Sequence, residues 1–254
     1  AETDPVWVHP KPWISGLLEP LGVPEPVHYW DFSGASLERS LGKGTVPLQL
    51  PVPPAFWGEG LSRSGAGLAF QGEHRGIRFP AAPTLDGGLH AAFTVAFWVN
   101  PDPESAGWTS VLYEQGGFWR GLNLILDRQW LVASGWNRPL EESGWMGTTL
   151  YGGRLSPGTW YHVALVLEAG ASVADNGLRL YLNGQPVDAG PASQLWPQAD
   201  KSGLGQVQGS TVFRERQLLE LHPFQGSFDE VAIWNRALSE AVIAELVRVT
   251  APAD

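Results

Sequence analysis

From residue 93 onward the chain breaks into short stretches in which apolar and polar positions alternate. Phe93, Val95, Phe97 and Val99 fall on one side of an extended segment and Thr94, Ala96, Trp98 and Asn100 on the other. This period of two predicts a strand with one face in a core. The pattern recurs at Leu122, Leu124 and Leu126, which alternate with Asn123 and Asp127 before Asp127-Arg128 turns into a strand over 130–134. It recurs again at Tyr161, Val163, Leu165 and Leu167, and at Leu178, Leu180 and Leu182. The last set is closed by Asn183-Gly184, a pair that accepts two positive φ values and predicts a two-residue hairpin turn.

Near the end of the chain the period changes. Residues 228–234 read as a strand on which Asp229 shares a face with Val231 and Ile233, and Glu230 with Phe228, Ala232 and Trp234. Burying a carboxylate on so apolar a strand costs several kcal/mol unless a hydrogen bond, cation or ion pair compensates it, so Asp229 needs a partner. The following residues predict a short helix: Ser239 as N-cap, Glu240 in the first turn, Leu238 stapled onto Ile243, and an apolar stripe of Ile243, Leu246 and Val247 that docks on the strands.

The other end of the chain is different. Residues 1–26 hold Pro5, Pro10, Pro12, Pro20, Pro24 and Pro26, which forbid regular helix and predict an extended arm. Trp7, Trp13, Ile14, Leu17, Leu18 and Leu21 make this arm too apolar to be a solvated linker, so it packs on its own domain or on a neighbouring subunit. The organisation expected is thus an arm over 1–26, one domain over 27–250 and a tail over 251–254. Many short strands with a single terminal helix predict an all-β, two-sheet antiparallel jelly-roll sandwich. The 31 Gly and 21 Pro, dispersed among the strands, supply its turns, and 254 residues are enough for a core without disulfides.

A formal charge of −10 argues against nucleic acid as a partner. The absence of Cys excludes thiol catalysis, disulfides and thiolate metal sites. No apolar run is long enough for a transmembrane helix, so membrane insertion is not expected. Arg outnumbers Lys and there is a single Met, a composition that hints at a GC-rich or a hot-living source.

Catalytic patterns are lacking. There is no His-Glu-x-x-His, no Gly-x-Ser-x-Gly and no phosphate-cradling loop, and the six His are scattered singly. Glu141-Glu142 is a poor acid and nucleophile couple because neighbouring side chains diverge in an extended loop, and His162 reads as a structural histidine. The better candidate for ligand binding is the loop-rich segment 134–146, with Trp136, Asn137, Arg138 and Trp145, joined by Trp108 and Trp119 in nearby glycine-containing segments. Aromatic faces meet the apolar side of a pyranose while amides and charges take its hydroxyls. Trp and Arg are equally the anchors of protein interfaces, and most of the thirteen Trp must be core.

Several segments together resemble the laminin G-like (concanavalin A-like lectin/glucanase) jelly rolls. Phe93 to Pro101 resembles the family's F-T-x-x-F-W strand, Trp160 to Val166 its W-x-H-V-A strand, Leu178 to Pro186 its L-Y-x-x-G hairpin, and Gly226 to Ser239 its closing Asp-Glu-Val strand and Arg-Ala-Leu-Ser helix start. Tyr29 to Phe32 and Gly67 to Gly72 fit its opening strands, so the resemblance covers roughly residues 27–250. It implies a structural Ca²⁺ held by Asp229 of the last strand with Asp31 of the first, the hard oxygen ligands such an ion takes. The alternative is an ion pair of Asp229 with Lys43 or Arg39, since the family's Asp-x-Ser-Gly-Asn loop is replaced here by residues 38–44. The glucanases' Glu-x-Asp-x-x-Glu strand is missing. The expectation is a non-catalytic recognition or assembly module, extracellular, cell-surface or virion-associated, that binds a glycan or docks on neighbouring protein subunits; the alternatives are a structural accessory protein of a virion such as a bacteriophage's, or a glycan-active hydrolase.

Overall fold

The computed structural model describes residues 22–30, 61–64, 67–72, 76–79, 81–85, 87–138, 144–198 and 202–251. Its strands are, in chain order, β1 (His28–Trp30), β2 (Leu61–Ser64), β3 (Gly67–Phe70), β4 (Ile77–Phe79), β5 (Ala92–Pro101) and β6 (Thr109–Gly116). These are followed by β7 (Arg120–Asp127), β8 (Trp130–Asn137), β9 (Trp145–Arg154), β10 (Tyr161–Glu168) and β11 (Ala174–Leu182). The set closes with β12 (Gln185–Ala192), β13 (Ser202–Leu204), β14 (Thr211–Phe213), β15 (Arg216–Leu218) and β16 (Gly226–Trp234), ahead of the helix α1 (Glu240–Thr250). An eight-stranded sheet runs β12-β11-β10-β5-β16-β3-β2 with β1 also paired to β16, and a six-stranded sheet runs β4-β13-β6-β7-β8-β9. All recorded pairings are antiparallel, which makes this the expected jelly-roll sandwich.

The alternating sets take the expected sides. Phe93, Val95, Phe97 and Val99 of β5, Leu122, Leu124 and Leu126 of β7, and Val163, Leu165 and Leu167 of β10 meet in one core between the sheets. Phe228 sits at its centre, with edge-on contacts to Phe70 at 5.2 Å and to Phe97 at 5.4 Å between ring centroids. The turn between β11 and β12 is Asn183-Gly184, with φ values of +49° and +80°.

The closing strand departs from simple alternation. Asp229 lies opposite Trp98 but Ala232 lies opposite Ala96, so one extra residue is inserted, and Glu230 takes φ +51°. A bulge of this kind reverses the parity of everything after it. Phe228, Val231 and Ile233 therefore all enter the inter-sheet core, while Ala232 and Trp234 face outward. Asp229 does not share a face with Val231 and Ile233, as strict alternation would have it; it lies on the outer face with Trp98. There the two buried carboxylates gain hydrogen bonds: the Tyr29 hydroxyl donates to Glu230 Oε2, and Asp229 Oδ1 accepts the Glu230 amide at 2.8 Å.

Helix α1 covers this outer face. Leu238, Ile243 and Leu246 pack with Ala164, Val166, Tyr181 and Trp234, and Ser239 caps the helix by accepting the Val242 amide. At the other end of the helix Trp98 Nε1 donates to Thr250 Oγ1 at 2.9 Å, with His162 edge-on to the indole at 5.3 Å. Burial pushes the His162 imidazole down to about 3. The end of the arm joins the same layer, through buried Val23 and a 2.8 Å bond from Trp234 Nε1 to Pro24 O. Residues 1–21 of the arm lie outside the described residues.

Candidate functional site

Among the described residues, the outer face of the six-stranded sheet is only half covered. Val111, Ile125 and Val132 on β6, β7 and β8 form a small apolar patch under Val207, Phe213 and Leu221. The β14-β15 hairpin is tethered there by Asn123, whose Nδ2 donates to Thr211 Oγ1 at 2.9 Å and to Val212 O at 2.7 Å. Beyond the hairpin, β8 and β9 stay open among the described residues. The result is a groove of about 960 Å³, floored by Ser134, Thr149 and Tyr151 and walled on the hairpin side by Arg214 and Glu215. Tyr151 is 65 % exposed and Met146 46 %, so the floor offers a ring and a flexible apolar side chain to solvent. Ser134 Oγ and Thr149 Oγ1, 3.3 Å apart across the two strands, add hydroxyls beside the ring.

Part of the segment singled out from sequence lines this groove. Arg138 belongs to it, its guanidinium 5.3 Å from the Phe118 ring and its amide donating to Trp119 O at 2.7 Å. Trp136 contributes only an edge. Its indole lies over Gly121, where a Cβ would come within 2.6 Å of the ring, and its Nε1 donates to Gly117 O at 2.8 Å, leaving it 2 % exposed. Trp145 points the other way, into the inter-sheet core, with Nε1 donating to Thr148 Oγ1. Exposed rings at 136 and 145, which sugar stacking there would require, are thus replaced by packing. Asn137 is fully buried and donates to Gln194 O at 2.9 Å. Trp119 is 59 % exposed on the loop before β7.

Trp108 lies elsewhere, at one end of the sandwich. A short 3₁₀ turn over Pro103–Gly107 carries the chain from β5 to β6, and opposite it stands the segment before β16. Ser105 joins them: its Oγ donates to Gln225 O at 2.6 Å and accepts the Gln225 amide at 2.9 Å. Between these segments and Gln71-Gly72 lies a cleft of about 590 Å³, lined by Asp102, Glu104, Trp108 and His222. The Trp108 indole lies against the His222 imidazole with centroids 3.8 Å apart and the planes tilted by 34°. Partial burial, reinforced by the neighbouring Glu104 charge, raises the Asp102 carboxyl above its ordinary range.

Sequence reading missed Tyr151, Thr149, Arg214 and Glu215 in the groove and Asp102, Glu104 and His222 in the cleft. Tyr151 had a signal, since it alternates with Leu150 on an edge strand. The others had none, because their proximity comes from the fold. Of the calcium pair, Asp31 lies outside the described residues, and Asp229 is 4 % exposed. Among the described residues no group of three or more His, Cys, Asp or Glu stands together as a metal site would need. No helix among them is long and apolar enough to cross a membrane.

The model of one protein family, described as the concanavalin A-like lectin/glucanases superfamily, matches residues 71–244. The chain belongs to this superfamily. No curated protein matches it in sequence. Among solved structures, this superfamily member is similar to the botulinum neurotoxin serotype G binding domain, with a TM-score of 0.60 at 8 % identity over 88 % of this chain and 51 % of that one. It is similar to Trypanosoma rangeli sialidase, with a TM-score of 0.58 at 17 % identity over 89 % of this chain and 33 % of that one. It also resembles domain 4 of AbnA, a GH43 extracellular arabinanase from Geobacillus stearothermophilus seen in complex with arabinotriose, with a TM-score of 0.55 at 17 % identity over 88 % and 98 %. The match spans about half of the toxin chain and a third of the sialidase. At these identities the likenesses speak for the jelly-roll fold alone.

Proposed function

We propose that this superfamily member is a non-catalytic glycan-recognition module, extracellular or at a cell surface, that binds an extended sugar chain in the groove over β8 and β9. The observation that carries the reading is the exposed Tyr151 ring beside the exposed Thr149 hydroxyl, with Ser134 beneath it, on the half of a sheet that no described residue covers. An aromatic ring flanked by hydroxyls and guanidinium groups is what stacks a pyranose and pairs its rim. The whole-length fold likeness to an arabinotriose-bound domain supports it.

The test is a polysaccharide panel read by affinity electrophoresis and calorimetry. At least one neutral or acidic polysaccharide binds with a Kd of about 1 mM or tighter, about −4 kcal/mol. Tyr151→Ala weakens that binding about tenfold or more with an unchanged melting temperature. Absence of binding across the panel, or binding indifferent to Tyr151, sinks the reading.

A further inference from the structure

The cleft at the end of the sandwich has a chemistry unlike that of the groove. Among the described residues its lining includes two carboxylates, Asp102 and Glu104, and neither Lys nor Arg. Among the described residues no ion pair engages either carboxylate. Two like charges held together raise the cost of ionising both, and a cation placed between them lowers it. Beside them Trp108 is 46 % exposed, with His222 tilted against the ring. A ring held in this way presents a fixed aromatic face, and an aromatic face next to carboxylates attracts a cation carried on an apolar frame.

The walls are set before any ligand arrives. Gln225 is fixed from both sides of its amide, its Oε1 accepting the Gly72 amide at 2.6 Å and its Nε2 donating to Gly72 O at 2.9 Å. Together with the Ser105 bonds to its backbone, this clamps the end of β3 to the segment before β16 and to the 3₁₀ turn. Preorganised walls lose little entropy on binding. A metal ion is a poor fit, since His222 is turned against the Trp108 ring and, among the described residues, no three acidic or histidine groups stand close enough to hold one ion.

We infer that this cleft binds a protonated amino sugar, with Asp102 and Glu104 taking the ammonium group, Trp108 stacking on the pyranose and Gln71 at the rim meeting its hydroxyls. The flat ring and the rim amide favour a sugar over a lysine side chain, which offers neither the broad C–H face of a pyranose nor hydroxyls. The inference is independent of the groove, because the two sites share no lining residue.

The experiment titrates the full chain with a fully deacetylated glucosamine trimer and with its N-acetylated counterpart at pH 6, by calorimetry and tryptophan fluorescence. The deacetylated trimer binds about tenfold tighter or more, since the two differ only in the ammonium group. Trp108→Ala and the near-isosteric Asp102→Asn each weaken it about tenfold. Equal binding of the two trimers overturns the inference. So does a loss confined to Tyr151→Ala, which moves the amine site to the groove, or binding of Nα-acetyl-lysine amide as tight as the trimer, which makes the ligand a peptide cation. Melting curves of both cleft variants show that they fold, and Asp102→Asn keeps the test decisive if Trp108→Ala does not.

Discussion

The two sheets bury similar inner faces and treat their outer faces in opposite ways. On the eight-stranded sheet the outer positions are Ala96, Ala164, Val166, Tyr181 and Trp234, and α1 closes over them with Leu238, Ile243 and Leu246. Two of its buried polar groups are given partners on the spot, Glu230 by Tyr29 and Trp98 by Thr250. On the six-stranded sheet the β14-β15 hairpin covers Val111, Ile125 and Val132 but, among the described residues, nothing covers Thr149 and Tyr151. A helix seals a face; a hairpin set to one side turns the remainder into a walled groove. The first face serves stability and the second is free to serve recognition.

The largest test of this contrast is a pair of truncations. Ile243→Ala removes a fully buried side chain from beneath α1 and is expected to cost about 2–5 kcal/mol in urea unfolding. Tyr151→Ala, on the open face, is expected to stay within about 0.5 kcal/mol of the wild type. Comparable losses at both positions would mean that the open face is structural after all.

A pH titration tests the sealed face next. The His162 imidazole is held down to about 3 and that of His28 to about 4, in both cases by burial. Each folded value lies below the unfolded value of 6.5. The unfolded chain therefore binds protons first as the pH falls. Stability is fully present above about pH 6.5 and is lost below it, by about 1.4 kcal/mol per pH unit per histidine until the folded values are reached. His162→Gln is expected to reduce the slope between pH 6 and pH 4.5 by about one proton's worth, as measured by urea midpoints. An unchanged slope would show that His162 is solvated in the folded state.

These contrasts also mark what the sequence discloses. The inner faces of β5, β7, β10 and β11 follow from alternation because each strand packs on one side against the same core. Asn183-Gly184 follows from turn chemistry and Ser239 from capping chemistry. Asp229 was placed on the wrong face because a bulge at a non-glycine residue leaves no local signature: Glu230 adopts φ +51° where nothing in the pattern asks for it. Trp136 and Trp145 look alike in composition, yet one lies over Gly121 on the outer face and the other fills the core, a difference fixed by strand parity and by which glycine makes room. The end cleft is illegible in the sequence because Asp102, Glu104 and Trp108 come from one segment of the chain and His222 and Gln225 from another, more than a hundred residues on.

The smallest expected effect concerns the wall of the groove. Arg214 and Glu215 form the tip of the β14-β15 hairpin with φ values of +49° and +65°, nearly the geometry of Asn183-Gly184. At Asn183-Gly184 the residues suit the turn, whereas at 214–215 two long charged side chains bear left-handed strain. Replacing Arg214-Glu215 by Asn-Gly relieves that strain and gives up the exposed Arg214–Asp127 pair, worth roughly 0–1 kcal/mol. The net change in stability is expected to be a gain under about 1 kcal/mol. Polysaccharide binding is expected to weaken in the same variant, since both replaced side chains line the groove. A gain in stability with a loss of binding assigns the strained pair to recognition. A loss of stability with binding intact would return the pair to the fold and leave the groove without its second wall.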